Sequence, residues 1–279
     1  MLETFYQRIQ MTFIAFLTDW GISSYYVGVA KSVMKQINPQ AEIIDITHDI
    51  EPFNIHEAMY ILQRSFPDFP PRTVFCAVVD YGVGTERLPI AIKLLNGSFL
   101  VGPGNGIFTL LVEQYQMKKA VILQNPNYFY RPTPSTTFHG RDIFAPVSAH
   151  LSLGIPIENL GPYIESITLL PVTRPVIQGD ILTGEIAFCD RFGNIETNIP
   201  GHLLESMGIH PGDHLTIKIG ENSCDAIFSA GAYGSIERGQ VLIHTDSSGF
   251  VEIAVNQGSA KDILLHNNFT ILINIKKMP

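Results

Sequence analysis

The sequence predicts two successive domains, an α/β domain with a mostly parallel sheet over residues 11–170 and an all-β antiparallel barrel over residues 176–279. In the first part, short apolar runs alternate with segments of helical periodicity, which favours an α/β layer. In the second part, short apolar runs are separated by glycines, which is typical of a small barrel. Pro171 and Pro175 delimit a stretch that favours extended backbone, so we place the linker there.

The elements of the first domain follow from local patterns. The continuous apolar run FIAFL at 13–17 predicts a buried parallel strand. Asn54 is a suitable N-cap for a helix that begins at Ile55, and Asn96-Gly97 predicts a hairpin turn. The predicted strands are 13–17, 42–46, 73–79, 90–95, 98–101 and 120–123, and the predicted helices are 25–37, 55–64, 107–114 and 143–153.

The second domain shows only short strand patterns with glycine between them. Its predicted strands are 182–188, 215–219, 225–228, 241–244, 251–255 and 270–275. In the first domain, by contrast, polar residues follow the predicted parallel strands at Asp19, Asp80 and Asn105. Because ligands of open α/β sheets bind outside the carboxyl ends of the strands, these three residues predict a binding crevice.

Composition narrows the functional classes. The net charge is −8, and the basic residues show no cluster beyond Lys118-Lys119 and Lys276-Lys277, so we expect no nucleic-acid binding. No apolar run is long enough for a membrane span, and residues 1–10 lack the apolar region of a signal peptide. Three cysteines without a CxxC pair indicate a reducing cytoplasm. A charged fraction of only 16% fits a chain that buries surface in an oligomer.

Three polar segments stand out, although each has an ordinary structural interpretation. DYGVGTER at 80–87 is also a plain glycine turn, and DRFGNIETN at 190–198 is also a plain Asn/Gly turn. TFHGRDIFAP at 137–146 contains His139 in a loop, and its Arg141 and Asp142 also suit an ion pair at a helix start. Taken alone, each segment favours the structural interpretation.

Metal binding has little support in the sequence. His210 and His214 have the spacing of a zinc helix, but Pro211 between them disfavours a helix. His48 and His56 are likewise separated by a proline-containing segment. We therefore expect neither a metal nor another cofactor.

Seven segments in chain order carry a more specific signal. They are LTDWG (17–21), DITHDI (45–50), VVDYGVGTER (78–87), GPGNG (102–106), TFHGRDIFAP (137–146), RFGNIETNI (191–199) and SSGFVEIAVNQGSA (247–260). Together they resemble the S-adenosylmethionine hydroxide adenosyltransferase family, also called the S-adenosylmethionine hydrolases, which is related to the fluorinases and chlorinases. The resemblance extends over nearly the whole chain. It implies an α/β domain, a β-barrel domain and a homotrimer with active sites between neighbouring subunits.

The resemblance also implies roles for individual residues. The three that would handle the attacking water are Asp80, Arg87 and His139. The residues that would contact S-adenosylmethionine are Asp19 at the ribose, Phe53, Asn105, Asp190, Phe192, Asn194, Ser247 and Asn256. This chain departs from the family at Tyr81, where proline is usual, and at Ser24, near which an acidic residue is usual.

The implied activity is hydrolysis of S-adenosylmethionine to adenosine and L-methionine. Two alternatives stay open on the sequence, a halogenase that uses S-adenosylmethionine and a non-catalytic sensor of S-adenosylmethionine or adenosine. Hydroxide is favoured over halide because the halogenases that resemble this chain carry Tyr-Ser at the position of His139-Gly140 and lack the carboxylate of Asp80. A negative carboxylate beside the reacting carbon would repel a halide but accept a hydrogen bond from water.

Overall fold

The computed structural model describes residues 13–231, 233–265 and 272–278. The chain divides into two compact units, Met1–Leu170 and Pro171–Pro279. No helix in the described part of the chain is both long and apolar enough to cross a membrane.

The first unit is built on a six-stranded sheet with the order β2-β1-β3-β5-β4-β6. Its strands are β1 (Phe13–Thr18), β2 (Glu42–Thr47), β3 (Val74–Val78), β4 (Pro89–Leu94), β5 (Phe99–Pro103) and β6 (Met117–Ile122). Strands β2, β1, β3 and β5 are parallel, whereas β4 is antiparallel to both of its neighbours. The predicted mostly parallel sheet is therefore a mixed sheet, because the turn at Asn96-Gly97 reverses the chain into a hairpin.

Four helices cover the two faces of this sheet. They are α1 (Tyr26–Ile37), α2 (Ile55–Ser65), α3 (Thr109–Tyr115) and α4 (Ala145–Ser152). The side chains of β1 alternate between two cores: Ile14 and Phe16 join the core that includes helix α1, and Ala15 and Leu17 join the one that includes α2. Burial on both faces explains why the strand is apolar throughout. The predicted cap is confirmed, since the Asn54 side chain accepts a hydrogen bond from the Glu57 amide at 3.0 Å.

The topology places the predicted crevice residues at one edge of the sheet. Asp19, Asp80 and Asn105 follow β1, β3 and β5, which are adjacent and parallel in the sheet. Parallel neighbours end at the same edge, so the loops that carry these residues lie side by side.

The second unit is a seven-stranded β-barrel closed by the pairing of its first long strand with its last strand, with one further strand attached. Its strands are β7 (Val176–Gln178), β8 (Ile181–Cys189), β9 (Ile195–Pro200), β10 (His214–Ile219), β11 (Asn222–Phe228), β12 (Val241–Thr245), β13 (Phe250–Val255) and β14 (Leu272–Lys277). The sheet order is β14-β10-β11-β12-β13-β9-β8-β7, and β14 also pairs with β8.

Two features of the barrel differ from the prediction of an all-β antiparallel domain. Strands β11 and β12 pair in parallel, with Ile227 opposite Leu242. Two short helices, α5 (His202–Ser206) and α6 (Ala260–Leu264), lie between strands. Residues 270 and 271 of the predicted last strand lie outside the described residues.

Candidate active site

A cavity of about 300 Å³ lies in the first unit, where the loops after β1 and β3 meet the segment before α4. Its lining residues are Asp19, Trp20, Tyr26, Pro52, Phe53, Val78, Asp80, Val83, Thr137, Phe138, His139 and Gly140. Four of the residues named from the sequence, Asp19, Phe53, Asp80 and His139, therefore line one cavity.

Asp80 is held by a bidentate ion pair with Arg87. The Arg87 Nε donates to Asp80 Oδ1 at 2.9 Å, and Arg87 Nη2 donates to Asp80 Oδ2. The two side chains are only 6% and 9% exposed, so water screens the pair weakly. The Arg87 guanidinium also lies over the Phe144 ring, with Cζ 5.3 Å from the ring centroid. Asp80 thus presents a fixed, charge-compensated carboxylate to the cavity.

His139 joins Asp80 and Arg87 by contacting the same guanidinium. Arg87 Nη2 donates to His139 Nδ1 at 3.1 Å. Because a guanidinium can only donate, Nδ1 must be the acceptor, and the neutral ring then carries its proton on Nε2. Burial, followed by the positive charge of Arg87, lowers the pKa of His139 below its usual value. The imidazole is therefore neutral at pH 7 and offers an N–H donor.

Two glycines allow the loops of this set to approach each other. Gly84 has a φ of +76°, and a Cβ there would overlap the carbonyl oxygen of Thr136. A Cβ on Gly140 would overlap the indole of Trp20. The missing side chain at Gly84 lets the turn that carries Arg87 approach the loop that carries His139, and the missing side chain at Gly140 lets that loop approach Trp20.

Asp19 occupies another part of the cavity wall. Its Oδ2 accepts a hydrogen bond from the Phe53 amide at 2.9 Å. Burial, which outweighs that hydrogen bond, raises the pKa of Asp19, and the charge of Asp80 adds to the shift. Phe53 is a non-glycine residue with a φ of 67° and a ring that is 63% exposed. A left-handed backbone at a phenylalanine is strained, and such strain is concentrated at functional loops.

Asp142 stabilises the loop behind His139. The Asp142 side chain is fully buried and accepts from Arg141 Nε at 2.7 Å and from the Ser135 amide at 2.8 Å. The predicted pairing of Arg141 with Asp142 is therefore confirmed. The five residues Gly140–Phe144 form a π-helical turn that runs directly into α4. Such single π-helical turns are frequent at functional sites.

Two other residues singled out in the sequence occupy different positions. Asn105 does not line the cavity; its Nδ2 donates to the carbonyl of Val79 at 2.8 Å and so holds the backbone beside Asp80. Tyr81, which replaces the usual proline, is 78% exposed and is not among the lining residues.

The second unit contains a compact turn made by Asp190, Phe192 and Asn194. Asp190 Oδ1 accepts from the amides of Phe192 and Asn194, each at 2.8 Å, and Oδ2 accepts from Asn194 Nδ2 at 2.9 Å. Gly193 within the turn has a φ of +84°. This geometry leaves the Phe192 ring 79% exposed while Asn194 is only 6% exposed. An exposed ring on a rigid turn can stack on a planar heterocycle.

Ser247 and Asn256 lie in two further loops of the barrel. Ser247 is exposed in the β12–β13 turn, which Asp246 organises by accepting from the amides of Ser248 and Phe250. The Asn256 Nδ2 donates to the carbonyl of Ile236 at 2.7 Å, so this side chain already holds a neighbouring loop.

An aromatic wall was missed by sequence reasoning. The Trp20 and Phe138 rings meet edge to face at 5.3 Å between centroids, and Tyr26 meets Phe138 at 5.0 Å. These residues lie far apart in the chain, so local patterns carry no signal of their contact, although Trp20 and Phe138 fall inside two of the segments quoted above. Among the described residues, no group of three or more His, Cys, Asp or Glu side chains is arranged to hold a metal ion.

The fold and the cavity together define a class. A buried carboxylate and guanidinium meet a half-buried imidazole at the carboxyl ends of parallel strands, which is typical of an enzyme that acts on a small molecule. The chain belongs to the SAM hydroxide adenosyltransferase family: residues 14–161 match its N-terminal domain and residues 184–268 match its C-terminal domain.

Three relatives illustrate the range of similarity. The (R)-S-adenosyl-L-methionine hydrolase of Salinispora arenicola is 36% identical over 90% of this chain and 93% of the relative. A crystal structure of an uncharacterized conserved protein from Thermotoga maritima is 46% identical, with a TM-score of 0.89 over 94% of this chain and 99% of that chain. The fluorinase of Actinopolyspora mzabensis is more distant, at 28% identity over 88% of this chain and 91% of the relative.

Proposed function

We propose that this chain hydrolyses S-adenosylmethionine to adenosine and L-methionine, with water as the nucleophile at C5′ of the ribose. The observation that carries this proposal is the Asp80 carboxylate, which lines the cavity while Arg87 and His139 fix its position. Membership of the family supports the same reaction.

The chemistry suits these residues. The sulfonium makes C5′ electrophilic, so the C5′–S bond breaks as the C5′–O bond forms and methionine leaves as a neutral thioether. The leaving group needs no acid, whereas the attacking water must lose one proton. Asp80 accepts a hydrogen bond from that water, orients it and takes up the proton.

Arg87 assists the reaction by holding Asp80, and His139 assists it by stabilising the negative charge that develops on the attacking water. The bidentate pair keeps both carboxylate oxygens of Asp80 in place, so the water meets an organised acceptor. The neutral His139 directs its Nε2–H away from Arg87, where it can donate to the developing hydroxide. None of these steps calls on a metal or another cofactor, and we propose that none is used.

The residues that we propose for substrate binding come from both units. In the first, Asp19 would accept from the ribose hydroxyls, Phe53 would close the cavity and Asn105 would support the backbone beside Asp80. In the second, the turn of Asp190, Phe192 and Asn194 suits the adenine and the methionine amine, and Ser247 and Asn256 would supply the remaining contacts. We further propose a cytoplasmic homotrimer in which neighbouring subunits complete each site.

Hydroxide fits this cavity better than a halide. A halide must exchange its hydration for donors in a fitted pocket, and the Asp80 carboxylate offers it only repulsion. Gly140 supplies no side-chain hydroxyl, and the indole of Trp20 occupies the space where a side chain would lie. The neighbours of the reacting carbon therefore favour water.

The relatives' name adds a question of stereochemistry. They are named for the (R) configuration at sulfur, and we propose that this chain also acts on the (R) epimer. Incubation of each epimer with the purified protein, with and without high chloride, followed by mass spectrometry tests both points. Adenosine and methionine in equal amounts from the (R) epimer are expected. Methylthioadenosine, S-adenosylhomocysteine or 5′-chloro-5′-deoxyadenosine as the main product would refute the proposal.

A further inference from the structure

Two glutamates of the barrel face each other in a way that the proposed reaction does not use. Glu196 on β9 and Glu252 on β13 are direct partners in the antiparallel register. They are 8% and 4% exposed, so both carboxyl groups are more than nine-tenths buried. Burying two adjacent carboxylates without cations is costly, and the pair therefore needs an explanation.

The partners of the two carboxyl groups are unequal. Glu252 Oε1 accepts from the Tyr233 hydroxyl at 2.8 Å and lies 2.9 Å from His244 Nε2. The buried Oε2 of Glu196, in contrast, has no hydrogen-bond donor among the described residues. The neighbouring side chains that act on Glu196 are the acids Glu252 and Asp246.

A proton on one of the two carboxyl groups would remove the repulsion between them. Burial, strengthened by the neighbouring Glu252 and Asp246, raises the pKa of Glu196 to about 9. Burial also acts against the charge of Glu252, but the hydrogen bonds from His244, Glu196 and Tyr233 outweigh it and lower the pKa of Glu252. The proton therefore resides on Glu196, which donates to an ionised Glu252, and the two groups titrate as one unit.

The position of the pair connects it to the ligand-binding turn. Glu196 lies two residues after Asn194, at the start of the strand that leaves the Asp190–Asn194 turn. The Tyr233 hydroxyl is held by Glu252 and also feels the charges of Asp190 and Glu196. Ionisation of Glu196 would place like charges directly opposite each other on β9 and β13 and would repel the acidic groups around Tyr233.

We propose that Glu196 and Glu252 share one proton at neutral pH and that this protonated pair is a positioning element for the Asp190–Asn194 turn. The consequence for substrate binding rests on the proposed function, whereas the shared proton and the order of the turn do not. The titratable groups that act on the pair are His244 from β12, Asp246 from the following turn and Tyr233, and Asp190 acts in turn on Tyr233.

Glu196→Gln tests whether Glu196 carries the shared proton, because the glutamine amide is a neutral hydrogen-bond donor that does not titrate. Wild-type folding retains a proton that an unfolded glutamate releases near pH 4.5, so wild-type stability falls as the pH rises from about 5 to about 9. The variant lacks this loss. We expect its Tm to match the wild type near pH 5 and to exceed it by an amount that grows up to pH 9. Glu205→Gln, at an exposed position of the same unit, should reproduce the wild-type profile.

Hydrogen exchange and kinetics test the turn. Amides of residues 190–194 should exchange faster in the wild type than in Glu196→Gln at pH 9, and equally at pH 6. If the chain hydrolyses S-adenosylmethionine, the wild-type KM should rise at alkaline pH while the variant's KM stays flat. Parallel Tm profiles of wild type and variant would overturn the shared proton, and equal exchange at pH 9 would overturn the positioning role. The Tm profiles and the hydrogen exchange require no turnover, so absence of hydrolysis would refute only the proposed function.

Discussion

Two buried carboxylates in the two units of this chain have opposite electrostatic surroundings. Asp80 is paired with the guanidinium of Arg87, whose Nε and Nη2 each donate to one of its oxygens. The groups that act on Glu196 in the described part of the chain are two other acids, Glu252 and Asp246. Asp80 is therefore a charge-compensated acceptor in a cavity, whereas Glu196 faces other acceptors and keeps its proton.

The comparison shows that burial alone does not determine what a carboxyl group can do. Both side chains lie largely out of water, so their immediate partners decide which interactions each can make. A carboxylate beside an electrophile can receive a proton during catalysis, whereas a carboxyl group that is already neutral can only donate one.

The largest effect should follow from neutralising Asp80. Asp80→Asn keeps the shape of the side chain but removes the acceptor charge, and we expect kcat to fall by roughly 10²–10⁴-fold. Substrate affinity should stay near that of the wild type, since the proton transfer occurs only in the transition state. Steady-state kinetics and calorimetric titration measure the two quantities. A variant that retains kcat but loses affinity would reverse the assigned role.

Removing the Arg87 cation should destabilise the fold, because it leaves the Asp80 carboxylate without a partner. We expect Arg87→Met to lower the free energy of unfolding by about 3–5 kcal/mol, because the charge of Asp80 is left buried without a partner. The double variant Asp80→Asn with Arg87→Met should recover part of that loss in urea denaturation. Lys276→Met breaks an exposed pair with Asp180 that water screens, so it should destabilise the chain far less than Arg87→Met. Equal losses in the buried and exposed variants would contradict this view of the pair.

Substitution of Asp19 should affect substrate binding, in contrast to substitution of Asp80, which should affect the chemical step. Asp19→Asn can still accept the Phe53 amide but loses the charge offered to the ribose, so we expect KM to rise roughly 10–100-fold with little change in kcat. The outcome should be the reverse of that for Asp80→Asn. A fall in kcat at constant KM would transfer the catalytic role to Asp19.

A pair of glycines tests the loop contact that brings Arg87 and His139 together. Gly84 and Gly154 have similar positive φ values, +76° and +85°, but only Gly84 would place a Cβ against another backbone, whereas Gly154 faces open space. Alanine pays the same backbone penalty at both positions. We expect Gly84→Ala to be about 1–3 kcal/mol more destabilising in thermal unfolding. Equal losses would show that the close approach to Thr136 is not required.

The smallest effect concerns the protonation of His139. Burial and Arg87 hold the pKa of His139 below its usual 6.5, so the neutral ring persists at pH 7 and is lost only as the pH falls through that lowered value. We expect kcat/KM to decline on the acid side below pH 6.5. His139→Gln should lower kcat/KM and flatten this acid limb. An unchanged limb in the variant would assign it to another group.

The features predictable from the sequence are local ones. The Asn54 cap and the Asn96-Gly97 hairpin depend on neighbouring residues, and the crevice residues follow from strands whose apolar runs are continuous. The mixed sheet was only partly predicted: the hairpin turn implies that β4 and β5 are antiparallel, but helix–strand alternation does not reveal that β6 also pairs antiparallel with β4.

The features that escaped prediction depend on distant pairings. Strand β9 starts directly after a turn and carries Glu196, Thr197 and Asn198, so its composition indicates a loop more than a strand. The meeting of Glu196 with Glu252 depends on the barrel register, and the aromatic wall of the cavity depends on the contact of separate loops. None of these pairings leaves a periodic trace in the chain.

The central claim is that the Asp80 carboxylate directs water to C5′. The most direct test is a single-turnover reaction in ¹⁸O-labelled water with the wild type and Asp80→Asn, with substrate binding measured in parallel. We predict one labelled oxygen at C5′ of the adenosine released by the wild type, and bound but unreacted substrate in the variant. Unlabelled adenosine from the wild type, or labelled adenosine formed at the wild-type rate by the variant, would contradict the account.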